Sequence, residues 1–198
     1  MSAILSLIIL ILSVVVHEVA HGYAAKWEGD NTASNLGRLS GNPLRHIDPF
    51  GSVILPTLTY LLGGFVIGWA KPVPIDPRSF RHQRWGEGLV AAVGPATNIL
   101  LAIIFAFIVR NASLGEGASL VAQSIVFINI ILALFNLIPV PPLDGSRILS
   151  SIFPSIRGFF YGIERYGIFL PIIFALIIWQ FFFSLIHMIF RFLTGVAI

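Results

Sequence analysis

His17-Glu18-Val19-Ala20-His21-Gly22 stands near the end of an apolar run from Ala3 to Ala25, where two imidazoles and a carboxylate are expensive to keep. Ionisable groups within a span are functional candidates by default, because lipid offers them neither water nor counter-charge. On a helix, positions i and i+4 differ by about 40° in direction and ~6 Å in height, so His17 and His21 can reach one metal ion. Glu18 lies about 100° round the same helix, placed to serve water at that ion rather than to bind it. In a soluble helix HExxH is a weak signal. Its setting in lipid favours metal binding over the alternative of two histidines hydrogen-bonded inside a bundle.

The chain around the motif is apolar throughout. Of 198 residues, 57% are hydrophobic and only 11% charged, with a mean hydropathy of +0.91. A soluble domain carries about a quarter of charged residues, so this composition specifies an integral membrane protein. The net charge of +3 resides in the polar connections, with no basic patch interleaved with aromatics; it bears on orientation in a lipid bilayer and not on nucleic acid. Cysteine is absent, which excludes disulfides, thiolate catalysis and Cys-based zinc sites and leaves histidine and carboxylate ligands. The run from Ser2 to Val16 lacks the basic n-region of a signal peptide, and HEVAHG occupies the place of a cleavage site, so a retained span is expected.

Further hydrophobic stretches run from Gly51 to Ala70, Leu89 to Val109, Leu120 to Ile138 and Tyr166 to Leu193, most near the ~20 residues a membrane helix needs. The stretch at residues 51–70 contains Pro56, Gly63, Gly64 and Gly68, which makes it the poorest helix former and the candidate re-entrant element. Lys26, Arg38 and Arg45 precede it, and Lys71, Arg78, Arg81 and Arg84 follow it. Arg147, Arg157 and Arg165 follow the Leu120 to Ile138 stretch, whereas Asn111 to Ser119 holds Glu116 and no basic residue. The positive-inside rule then puts the basic connections in the cytoplasm and the acidic one outside, so residues 51–70 enter and leave on one face. Arg110 and Arg191, at outer ends, are minor exceptions. The expected fold is an all-α polytopic membrane protein with about four transmembrane helices plus a re-entrant or partly inserted segment near residues 51–70, the alternative being five spans.

Two histidines leave a catalytic zinc one protein ligand short, its fourth position being needed for water. The remaining histidines are His46, His82 and His187, and the carboxylates are Glu28, Asp30, Asp48, Asp76, Glu87, Glu116, Asp144 and Glu164. Asp144 is placed best. It ends Asn136-Leu137-Ile138-Pro139-Val140-Pro141-Pro142-Leu143-Asp144-Gly145, where three prolines forbid a continuing helix, and irregular backbone at that depth must line protein or water. HEVAH and Asp144 both lie at C-terminal ends of spans, so they meet only if an odd number of crossings separates them. The four-span arrangement has one, Leu89 to Val109; a fully crossing 51–70 segment separates them.

Taken together, HEVAHG, GNPLRHIDPFGS (residues 41–52), GPATN (94–98) and NLIPVPPLDG (136–145) resemble, in their order, the site-2 protease family of intramembrane zinc metalloproteases over about residues 13–150. The resemblance implies one Zn2+ held by His17, His21 and Asp144, Glu18 as catalytic base, and Asn136 in contact with the substrate backbone or the developing oxyanion. From its chemistry alone, Asn136 serves equally well to cap a broken helix end. The implied chain is a single membrane-embedded domain, residues 1–198, with a core at 13–150, an extra C-terminal span at 166–193, and neither a PDZ nor a CBS domain.

Other motifs are less decisive. His46 is an extra or inhibitory ligand or, with more weight, a turn-stabilising residue. Gly37 to Pro56 is a candidate short hairpin; in the family, edge strands receive substrate as an added strand, although alternation here is poor. Packing explains Gly94 to Asn98 about as well as function does. Lys71 to Pro77 reads as a rigid extended connection at the membrane surface. Arg147 either orients Asp144 or faces lipid phosphate, and His187 reads as structural.

The expected activity is hydrolysis of a peptide bond in or near the membrane segment of a single-span membrane protein, in a prokaryotic cell membrane, with the active site toward the cytoplasm. Gating falls to the membrane core, a regulatory membrane partner or a homo-oligomer. The competing class is a non-hydrolytic metal-binding membrane protein, such as a transporter or an inactive protease-like chaperone.

Overall fold

A computed structural model describes residues 3–54, 57–58, 61, 70–167 and 169–196. The described residues are helical and irregular, with no strand. Helix α1 spans Ala3–Glu28, and the short α2 Thr32–Asn35. Two further long helices follow, α3 over Gly86–Asn111 and α4 over Glu116–Asn136. After the proline-rich break come α5, Asp144–Ile152, and α6, Arg157–Glu164; α7 is Phe169–Thr194. The α1, α3 and α4 helices are long and apolar enough to cross a membrane, and Phe181–Thr194 of α7 is a shorter apolar segment. Ile4, Leu100, Phe107, Phe181 and Phe192 stay exposed on their outer faces, as lipid-facing side chains must.

Cross-helix contacts give the directions. His17 meets Asn98 while His21 meets the carbonyl of Val90, so α1 and α3 run antiparallel. Only residues 112–115 connect α3 to α4, and Asn98 bonds Asn129, so α4 returns antiparallel to α3 and therefore parallel to α1. A core of Ala102, Ala106, Val126, Ile130, Ile186 and Phe190 fastens α7 to the α3–α4 pair. Arg110 donates to the Phe192 carbonyl at 2.6 Å, so the C-terminal ends of α3 and α7 lie together and this arginine is spent on a helix C-terminus.

Both flanks of the expected re-entrant stretch lie at one face, because the Lys71 N–H donates to the His46 carbonyl at 2.8 Å. Most of residues 51–70, and with it the choice between re-entrance and a fifth span, falls outside the described residues. The candidate hairpin at Gly37 to Pro56 contains no strand in its described part. Instead Pro43–Arg45 forms a 3-10 turn capped by Asn42, and Pro49–Ile54 a π turn. Proline at positions 43 and 49 withholds ladder donors, and the Asn42 side chain accepts the Leu44 N–H locally.

Candidate metal centre and its cavity

Along α1 the two histidines are buried one turn apart, and their Nε2 atoms stand 3.0 Å from each other. Asp144 Oδ2 lies 3.2 Å from His17 Nε2 and 3.3 Å from His21 Nε2. Among the described residues, these three form the group of histidines and carboxylates close enough to share an ion. The hydrogens are elsewhere. His21 Nδ1 is 2.8 Å from the Val90 carbonyl, which can only accept, so a neutral His21 carries its hydrogen on Nδ1 and presents a lone pair at Nε2. His17 Nδ1 lies 2.6 Å from Asn98 Oδ1, with the same consequence. Three electron-rich atoms thus face one another, and Asp144 Oδ2 is a buried oxygen without a hydrogen-bond donor. A cation removes that repulsion. Ligands of a tetrahedral zinc stand roughly 3.3 Å apart, close to the spacings here, and two nitrogens with one carboxylate oxygen form a catalytic zinc donor set.

Asp144 arrives because the helix breaks. Pro139, Pro141 and Pro142 lack amide hydrogens, so α4 stops and Asp144 opens α5. Gly145 permits the close return: a Cβ there would sit 2.5 Å from the Ile138 carbonyl oxygen and up against that of Leu137. Small residues continue the contact, with Gly88 of α3 against Ser151 of α5.

Glu18 is not in the donor triangle. Its Oε2 accepts the Val73 N–H at 2.8 Å, so the segment expected to be a plain surface connection is instead a wall of the site. Val73 is buried, because Gly22 leaves room for it against α1. Arg38 donates to the carbonyls of Lys71 and Pro72 at 3.0 and 3.3 Å, and the Asp76 N–H donates to Asp30 Oδ2 at 2.7 Å. Hydrogen bonds from the Arg78 side chain hold the Asp76 carboxyl below the usual carboxylate range. A cavity of about 490 Å³ is lined by the triad, Glu18, Asn136 and this segment, among others.

Asn136 lines the cavity, and its side-chain amide donates to the Leu132 carbonyl at 2.9 Å. His46 stands apart from the triad, with Nε2 on the Ser40 carbonyl at 2.8 Å, a turn-holding position. Arg147 bonds Glu87 at 2.5 Å and Glu164 at 3.0 Å rather than Asp144, tying α3, α5 and α6 together. His187 bonds the Phe183 carbonyl within its own helix.

In GPATN, packing and function coincide. A Cβ on Gly94 would lie within 2.6 Å of both imidazoles, and Asn98 bonds His17 directly. Positions 94 and 98 share a helix face, a signal present in the sequence, but their partner on α1 emerges only from packing.

These features define a membrane metalloprotease, and the chain belongs to Peptidase family M50, the site-2 protease family, which it matches over residues 5–115 and 108–180. It is similar to YwhC of Bacillus subtilis, 38% identical over 170 residues covering 81% of this chain and 74% of that protein. Rip2 of Mycolicibacterium smegmatis is 29% identical over 141 residues, 68% of this chain and 52% of that one. Both carry the names of candidate zinc metalloproteases. The zinc metalloprotease MJ0392 of Methanocaldococcus jannaschii is 24% identical over 152 residues, 77% of this chain and 35% of that protein. The chain thus spans about three quarters of YwhC and about half of Rip2. No solved structure matches.

Proposed function

We propose that the chain is an intramembrane endopeptidase using one zinc ion held by His17, His21 and Asp144. The observation that carries this is the triangle in which His17 Nε2, His21 Nε2 and Asp144 Oδ2 face one another, opening beside a carboxylate into a cavity. Zinc there supplies the Lewis acidity that activates water and polarises a peptide carbonyl. Glu18 takes a proton as the water oxygen bonds the carbonyl carbon, and delivers it to the amine nitrogen as the C–N bond breaks. One N–H of Asn136 is taken by Leu132, and the other serves the developing oxyanion, a donor role worth ~3 kcal/mol in other enzymes. The substrate is a single-span membrane protein that unwinds locally, since a helical carbonyl is already bonded within its helix. Gating falls to a regulatory membrane partner, a homo-oligomer or the membrane core.

The test is cleavage of a model single-span substrate by the purified chain in liposomes. Fragments ending within the membrane segment, lost on zinc chelation and restored by zinc, are expected. A chain that binds zinc and cleaves nothing would make it a non-hydrolytic metal protein. Against that class stands the convergence of all three ligands on one point next to Glu18, rather than their spread along a path.

Sidedness follows from charge. Arg78, Arg81 and Arg84 precede α3, and Arg147 and Arg157 share ion pairs with Glu87 at the same end, so the cavity end faces the cytoplasm. The absence of cysteine allows a direct check. Exposed Gln83→Cys is expected to react with a membrane-impermeant maleimide only from the cytoplasmic side, and Ser113→Cys only from outside. The reverse pattern sinks the orientation.

A further inference from the structure

Behind His17 a hydrogen-bonded chain crosses three helices. Asn98 Oδ1 faces His17 Nδ1 at 2.6 Å, and Asn98 Nδ2 donates to Asn129 Oδ1 at 2.8 Å. Asn129 Nδ2 donates to the Ile125 carbonyl at 2.8 Å and to Ser13 Oγ at 3.0 Å. Both asparagines are fully buried. An amide side chain has two possible orientations, and its neighbours decide between them.

Here the decision starts at one group that can only accept. The Ile125 carbonyl requires the NH2 end of Asn129, which leaves Asn129 Oδ1 toward Asn98. That oxygen in turn requires the NH2 end of Asn98, which leaves Asn98 Oδ1 toward His17. An acceptor at that point requires the hydrogen on His17 Nδ1. We infer that Asn129 is a positioning residue for the metal centre: acting through Asn98, it keeps the His17 hydrogen on Nδ1 and Nε2 free for an ion. His21 reaches the same state in one step, from the Val90 carbonyl. The asymmetry has a packing cause. α3 presents a side chain to His17, and an amide, unlike a carbonyl, must itself be oriented. In lipid no water competes for these groups, so a satisfied chain holds one arrangement.

The inference rests on the zinc reading above, and the experiment separates the two. Zinc affinity is measured by chelator competition on the full chain in detergent, together with nitrogen NMR of His17 in the metal-free state. Asn129→Leu is expected to weaken zinc by up to about 10- to 100-fold, the usual effect of losing a ligand's outer partner, here Asn98 left without orientation, and to give a mixture of His17 tautomers. Ser13→Ala is expected to stay within about twofold of wild type, because the Ile125 carbonyl alone orients Asn129. The decisive variant is Asn98→Asp combined with Asn129→Leu. A carboxylate accepts from His17 whatever lies behind it, so zinc affinity and the single tautomer are expected to return. Should Asn129→Leu fail to fold, Asn129→Ser tests the same point, since its hydroxyl bonds the Ile125 carbonyl and leaves Asn98 unanswered. Unchanged affinity and tautomer in a folded Asn129 variant, or no recovery in the folded double variant, overturns the positioning role alone. A wild-type chain that binds no zinc overturns both readings.

Discussion

Replacing Glu18 with glutamine is expected to lower cleavage of a model membrane substrate by about 10²- to 10⁴-fold, the usual contribution of a positioned general base. Zinc content is expected to stay at the wild-type level. The two outcomes separate because Glu18 lies outside the His17, His21, Asp144 triangle. Glutamine keeps the shape of the site. Its amide oxygen can accept the Val73 N–H as Glu18 Oε2 does at 2.8 Å, so the extended segment beside the cavity has no reason to move. What is lost is basicity, since an amide cannot take the proton that water must surrender or return it to the leaving amine. The loss therefore belongs in kcat rather than in substrate binding. Zinc-to-protein ratio and single-turnover cleavage, measured on one preparation, check both halves. Cleavage within about tenfold of wild type would falsify the assignment of Glu18 as base.

Gly94→Ala is expected to cost zinc affinity by on the order of 100-fold or more, above the range for losing one outer hydrogen bond, and to abolish activity with it. The added methyl would enter the space where both rings sit: 2.6 Å from His17 Cε1, 2.5 Å from His21 Cε1, and against His21 Nε2. Neither ring can yield freely, because His17 is held by Asn98 and His21 by the Val90 carbonyl. The alternative is for α3 to move away from α1, which breaks both hydrogen bonds at once. Gly117→Ala, in the first turn of α4 with nothing within 4 Å of the new methyl, is the matched control and is expected to retain zinc. An alanine variant at residue 94 with wild-type zinc affinity would show that the two helices have room to spare at Gly94.

The apolar helices and the meeting of His17, His21 and Asp144 were legible for one reason: lipid penalises polar groups so heavily that each survivor carries information. His17, Glu18 and His21 announced themselves against the apolar run around them. Asp144 followed from the prolines that break its span and from the parity of crossings set by the arginines. The hairpin expectation at Gly37 to Pro56 failed because its prolines and Asn42 favour local turns over a ladder. Lys71 to Pro77 was misjudged for a different reason. The group that matters there is the Val73 backbone N–H, and a main-chain donor leaves no mark on residue type.

By itself the sequence determined the membrane class of the protein and the meeting of His17, His21 and Asp144, because hydrophobic length, charge bias and helix breaking are local properties. Only the tertiary structure decided which atoms face the metal position. Val90, Asn98, Asn129 and Ile125 set the hydrogens of the two imidazoles through contacts made between helices. The side of a ring that carries its hydrogen depends on which acceptor packing brings within 3 Å, and spacing along a single helix does not specify that.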